Sequence, residues 1–265
     1  MCSIIHYDKM RKINQGLRPG FRTAEEVIRL KLGTGNPALD RLLGGGIEGG
    51  LVHLFYGDRG LHDDLLGIAI QAQLPKNKGG IQSSSIIIDS ANIIHIDQLT
   101  DISYELDLEP EEVMDRIYIS RAFNSSQTYD LVMNQIDKFF DRVPARVLFV
   151  TGLPNLFIKE GISGESLQQL THMATKIMTF TLQRGIFTVI SAQPSEQNRH
   201  LPAGGKALAS CAQVHVHVEE SKSYFKYVLA KHPQYPVRRA SKAKPPRFGT
   251  TLPLSYFDQE SKEKD

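Results

Sequence analysis

The segment Gly57-Asp58-Arg59-Gly60-Leu61-His62-Asp63-Asp64 lies between an apolar run of strand length, Leu51–Phe55, and a helical pattern, Leu65–Gln73. Strand, glycine loop and helix in that order can hold phosphate, because the loop N–H groups and the helix N-terminus face the anion. The pattern that does so is GxxxxGK[ST], with lysine on the phosphates and a hydroxyl on magnesium. Counted from Gly57, the second glycine is His62, the lysine is Asp63 and the hydroxyl residue is Asp64. His62 places a Cβ where backbone must approach phosphate. Asp63 substitutes an anion for a cation, and Asp64 a carboxylate for a hydroxyl. One like-charge contact at ~4 Å costs about 4 kcal/mol at an effective dielectric of about 20. Ordinary ATP binding is therefore expected to be lost. The plainer reading of the same residues is a βα turn whose two acids suit a first helical turn.

Two further sets of side chains could do chemistry. His215, His217 and Glu219 share one face of a strand. Three ligands from a single strand surround a metal poorly, so solvated or edge-strand histidines and no metal are expected. Charge is also segregated. Residues 81–115 hold nine acids and no Lys or Arg, whereas residues 226–250 hold seven basics and no acid. A chain so polarised can orient an anionic ligand or a partner, although its net charge is only +2.

These residues need a scaffold. Apolar runs at Leu51–Tyr56, Ser85–Ile88, Ile117–Ser120, Val147–Val150, Ile186–Ile190 and Val214–Val218 read as strands. Helical stripes run through Tyr129, Val132, Ile136, Phe139 and Phe140, and through Leu167, Leu170, Ala174, Ile177, Met178 and Thr181. Alternating strands and helices predict an α/β fold with a mostly parallel central sheet covered on both faces. Val214–Val218 and Tyr224–Ala230 predict a C-terminal antiparallel hairpin. Asn36 is expected to cap a short helix that ends at Gly44–Gly46. The organisation expected is a flexible basic arm over 1–31, one core domain over 32–254 and a frayed tail over 255–265. With 265 residues, 41% of them hydrophobic, the core needs no disulfide or metal staple. Two cysteines, Cys2 and Cys211, point to a reducing compartment. No apolar run approaches ~18 residues, and the N-terminus lacks the pattern of a signal peptide.

The wider sequence resembles a known family. GTGNPALDRLLGGGIEGGLVHLFYG, residues 33–57, is similar to the entry into the core of RadA, the archaeal member of the RecA-type recombinases. DLEPEEVMDRIYISRAFNSSQ, residues 107–127, resembles the family stretch that leads through a strand into Arg-Ala-Phe-Asn-Ser. The resemblance covers roughly residues 20–235. It implies a RecA-type ATPase core with degenerate Walker motifs. In the family a catalytic glutamate follows a strand, and here Ala91 stands in its place. A Walker B strand ends in aspartate, and here Val147–Val150 runs into Thr151. Gln193 matches the nucleotide-sensing glutamine. Two DNA-binding loops are implied after Phe157 and Gln193. The first holds Lys159 and the second Arg199 and Lys206. A stronger DNA candidate is the basic run Arg238, Arg239, Lys242, Lys244 and Arg247. Phe21 and Ala24 look like the family's Phe-x-x-Ala polymerisation motif, whose two apolar side chains fill pockets on a neighbour. The family's small N-terminal DNA-binding domain is expected to be missing, since 20 residues precede Phe21.

The resulting expectation is a non-catalytic RadA-like paralogue, without cofactor. It binds an active RadA-type recombinase or another paralogue and modulates its filament in recombinational repair. Two alternatives stand beside it: a direct DNA-binding module using the basic C-terminal surface for single-stranded DNA, and a contributor in trans to an ATPase site shared between subunits. The expected location is cytoplasmic, or nuclear in a eukaryote, and away from membranes.

Overall fold

The structure is a computed structural model, and it describes residues 29–244. In chain order the elements are β1 (Lys31–Leu32), α1 (Pro37–Leu43), β2 (Ile47–Glu48), β3 (Val52–Gly57), α2 (Leu61–Gln71), β4 (Ser84–Asp89), α3 (Ile96–Glu105), α4 (Pro110–Met114), β5 (Ile117–Arg121), α5 (Ser125–Asp130), α6 (Ile136–Arg142), β6 (Ala145–Thr151), α7 (Asn155–Glu160), α8 (Gly164–Arg184), β7 (Phe187–Ala192), α9 (Gly205–Cys211), β8 (Val214–Glu220), β9 (Tyr224–Lys231) and β10 (Arg238–Ala243).

Eight strands form one sheet in the order β10-β9-β8-β3-β7-β6-β4-β5, parallel from β8 to β5 and antiparallel through β9 and β10. The β3 run is buried on both faces because helices cover each side. One face packs Leu39, Leu43, Leu65 and Ile68 of α1 and α2 against Phe55, Phe149 and Val216. The other packs Leu170, Met173, Ile177 and Phe180 of α8 against Leu54, Ile88 and Val150. Burying these side chains drives the assembly, at roughly 1.5–3 kcal/mol for each large apolar group. Parallel strands then bring Gly57, Asp89, Thr151 and Ala192 to one end of the sheet, where α/β folds place their ligands.

Local signals explain several boundaries. Asn36 Oδ1 accepts from the Ala38 N–H and caps α1, Pro37 occupies its first turn, and Gly44 ends it at φ 69°. Asn124 caps α5 and Ser163 caps α8 in the same way.

The structure departs from the sequence reading at five places. The helix expected through Tyr129 and Phe140 is present and continuous from Ser125 to Arg142, but it takes a π-helical turn at Leu131–Gln135 between α5 and α6. The basic run, for which the sequence reading predicts no strand, is β10 as far as Ala243, an edge strand that pairs with β9. Lys159 sits on α7 rather than on a loop. Lys31, counted with the arm, is in β1 and pairs with Glu48. β8, the strand of His215 and His217, is interior, and both histidines are buried. Phe21, Ala24, Arg247 and the tail lie outside the described residues. No helix among the described residues is long and apolar enough to cross a membrane.

Candidate functional site

The loop 57–64 lies at the carboxyl end of β3 and faces a cleft of about 1330 Å³. Ala91, Gln98, Gln193, Glu220 and Lys244 form other parts of its wall. The loop, Ala91 and Gln193, which the family resemblance singles out separately, line this one cleft.

The loop is drawn tight against its neighbours. The Asp58 N–H donates to Val218 O at 2.9 Å, Leu61 N–H to Asp58 O at 3.2 Å and His62 N–H to Arg59 O at 2.9 Å. Those donors are therefore engaged by protein carbonyls. Gly57 adopts φ 134°, and a Cβ there would lie 1.9 Å from Val218 O. Only glycine lets β3 pass so close to β8. At Gly60 a Cβ would lie 2.1 Å from the Phe225 ring, so an aromatic side chain rests directly on the loop. Lys244 Nζ stands 4.9 Å above that ring and pairs with Glu220 at 2.6 Å. The Asp58 carboxylate accepts from the Glu220 N–H at 2.9 Å and from Arg199 Nη2 at 3.0 Å. Asp58 and Arg199 thus tie the loop to β8 and to the segment after β7.

The two acids of the loop differ. Asp63 is exposed at the cleft wall. Asp64 is 6% exposed and points beneath the loop. Its Oδ1 accepts from Asn36 Nδ2 at 2.9 Å, and the same amide donates to the Tyr227 hydroxyl at 3.0 Å. Burial pushes the Asp64 carboxyl up to about 6, against the pull of the Asn36 and Tyr227 hydrogen bonds. Burial, and then the adjoining Asp64 carboxylate, also raises the Tyr227 hydroxyl above its usual range. Asp64 therefore joins α2 to the cap of α1 and to β9. The expectation that its charge faces a bound phosphate is corrected, and that repulsion argument is left to Asp63.

Thr151 likewise has a partner. Its hydroxyl donates to Asp89 Oδ1 at 2.7 Å, fastening β6 to β4. Asp89 is fully buried and also accepts from the Ile93 and Ile94 N–H groups at 3.2 and 3.3 Å, with Arg121 Nε at 3.4 Å. Ala91 offers the cleft a methyl group only. Behind it Gly152 approaches so closely that a Cβ there would lie 2.5 Å from the Ala91 Cβ.

The basic candidates do not form one patch. Arg238 stacks on Tyr235 at 4.1 Å, near Gly44 and Lys31 and away from the cleft, whereas Lys244 lies on the cleft wall. A six-residue strand separates them by about 20 Å. Arg239 and Lys242 are exposed between them. Arg199 is paired to Asp58, Lys206 is exposed in the first turn of α9, and Lys159 is exposed on α7. Sequence reasoning found Asn36 as the cap of α1 but missed its bonds to Asp64 and Tyr227, and it missed Phe225 altogether. None of these contacts carries a local signal, because they join residues 28, 191 and more than 160 positions apart.

A protein-family model described as Rad51 matches residues 24–240. The matched span runs from Ala24 into the middle of β10 and so contains β1 to β9 and the whole cleft loop.

Proposed function

The chain belongs to the Rad51 family, whose RecA-type cores serve recombination and DNA repair and assemble with their relatives; from that premise we propose that it acts there without hydrolysing ATP. It binds an active RadA-type recombinase or another paralogue and modulates the filament. One observation carries this reading. At the carboxyl end of the sheet, Asp63, Asp64, Ala91 and Thr151 occupy the positions where the family resemblance calls for lysine, hydroxyl, glutamate and aspartate. Phosphoryl transfer depends on positioning and on charge stabilisation. Here the loop N–H groups of Asp58, Leu61 and His62 are engaged by protein carbonyls, and Phe225 lies on Gly60. These residues do not fit a magnesium-bound triphosphate held in the family's manner.

The partner-binding element in this reading is Phe21 with Ala24, which lie outside the described residues. An aromatic anchor docked in a neighbour's pocket is worth about 2 kcal/mol or more on truncation, a thirty-fold or greater loss of affinity. The test is the affinity of the full chain for the active recombinase, measured beside the melting temperature. Phe21→Ala is expected to weaken binding thirty-fold with the melting temperature held. Equal binding with a lower melting temperature makes Phe21 a core residue and removes the motif.

Exposed Arg239 and Lys242 on β10 favour a second reading, in which the same chain also holds single-stranded DNA.

A further inference from the structure

We propose that His200, His217 and Glu219 form a site for a divalent transition cation of the zinc class, which fastens the segment 194–203 to β8. One ligand atom from each of the three lies within 4.8 Å of the others. Glu219 Oε1 is 3.5 Å from His217 Nδ1 and 3.8 Å from His200 Nδ1. Ligand atoms held tetrahedrally at about 2.0–2.1 Å from zinc sit roughly 3.3 Å apart. Two edges of the triangle are therefore within about half an ångström of that spacing. His200 supplies what a single strand could not, a ligand approaching from outside the β8 face.

The surroundings hold two ligands and leave one free to adjust. The Tyr56 ring stacks on His217 at 4.9 Å, and the Tyr56 hydroxyl donates to His200 O at 2.9 Å. The segment carrying His200 is closed by Ser195 N–H donating to Leu201 O, by the Pro194–Pro202 bridge and by Arg199 on Asp58. The imidazole of His200 is 77% exposed, so it can close the remaining distance by side-chain rotation and leave an open position for water. Lys226 Nζ holds the other carboxylate oxygen of Glu219 at 2.7 Å, which orients Oε1 towards the histidines. The ammonium also opposes a second cation, so the site binds more weakly than a closed four-ligand site. Imidazole with one carboxylate selects zinc-like cations over magnesium or calcium, which take oxygen ligands.

The test uses the full chain stripped of metal, titrated with Zn²⁺ against a chromogenic chelator, with Mg²⁺ and Ca²⁺ as controls. One equivalent of zinc is expected to bind at micromolar concentration or tighter, with neither control competing. His200→Asn, on an exposed side chain, should lose roughly a hundred-fold or more in affinity, since removal of an outer-shell partner alone costs about 10–100-fold. Lys226→Met should bind zinc more tightly. Zinc should also slow tryptic cleavage after Arg199 in the wild type and leave it unchanged in His200→Asn. Absence of uptake at micromolar zinc overturns the proposal, as does uptake of equal affinity in His200→Asn. Cleavage after Arg199 at the same rate with and without bound zinc overturns the fastening role.

Discussion

Replacing Asp64 by asparagine should make the protein more stable at neutral pH, although it removes a charged, hydrogen-bonded side chain. Burial raises the Asp64 carboxyl to about 6 in the folded state, against about 3.9 in an unfolded chain. A raised carboxyl pKa means that the fold prefers the protonated form. Ionisation of Asp64 costs the fold nothing below pH ~4, progressively more between pH ~4 and ~6, and the full amount above that. The difference of about two pH units corresponds to roughly 3 kcal/mol. The asparagine side chain in Asp64→Asn keeps the volume and still accepts from Asn36 through its oxygen, and its amide takes the place of Asp64 Oδ2, a buried oxygen with no hydrogen-bond partner. Urea unfolding of both proteins from pH 4 to 8 measures the effect. At pH 7.5 the variant should be more stable by up to about 3 kcal/mol, or roughly 6–12 °C in melting temperature for a domain of this size. The gap should close towards zero as pH falls to ~4. Comparing the proteins at each pH cancels the other titrations, including buried His53, which burial and the nearby His232 pull down to about 3. A variant that is less stable at pH 7.5, or a gap that ignores pH, refutes the reasoning.

The remaining predictions concern the loop and the basic strand. Gly57→Ala forces a Cβ onto Val218 O at positive φ and should cost roughly 2–4 kcal/mol by urea unfolding; a loss under about 0.5 kcal/mol contradicts the close approach. Asp63→Lys combined with Asp64→Thr should recover no ATP turnover, since Ala91 and Thr151 remain; a measurable turnover number counts against this account of the cleft. Single-strand binding should weaken with salt by about 0.7 log units per log salt for each phosphate neutralised. Arg239→Ala with Lys242→Ala should flatten that slope, whereas Lys244→Ala, already paired with Glu220, should change it little. An unchanged slope in the first pair moves any DNA contact off β10.

What was legible in the sequence followed from continuous burial. β3, β4, β6 and β7 are apolar runs because helices cover both sheet faces, and α8 shows its stripe because one side packs on the sheet. β10 escaped because the half-buried face of Arg-Arg-Ala-Ser-Lys-Ala offers the core only Ala240, too little for an apolar run to declare it; backbone pairing with β9 holds the rest. The resemblance singled out the loop, Ala91, Thr151 and Gln193, and the parallel strands bring them to one end of the sheet. The direction of each side chain was another matter. Asp64 turns beneath the loop because Asn36 and Tyr227 wait there, and neither is near it in sequence. His200 reaches Glu219 only because the segment after β7 folds back over β8, a long-range contact that no spacing rule reports.

Calorimetry of the full chain with magnesium-ATP tests the central claim most directly, because binding precedes every step of turnover. The engaged N–H groups of the loop, Asp63 at the cleft wall and Phe225 on Gly60 together predict no saturable heat at micromolar nucleotide. A micromolar dissociation constant, with or without hydrolysis, contradicts a family member that works without ATP.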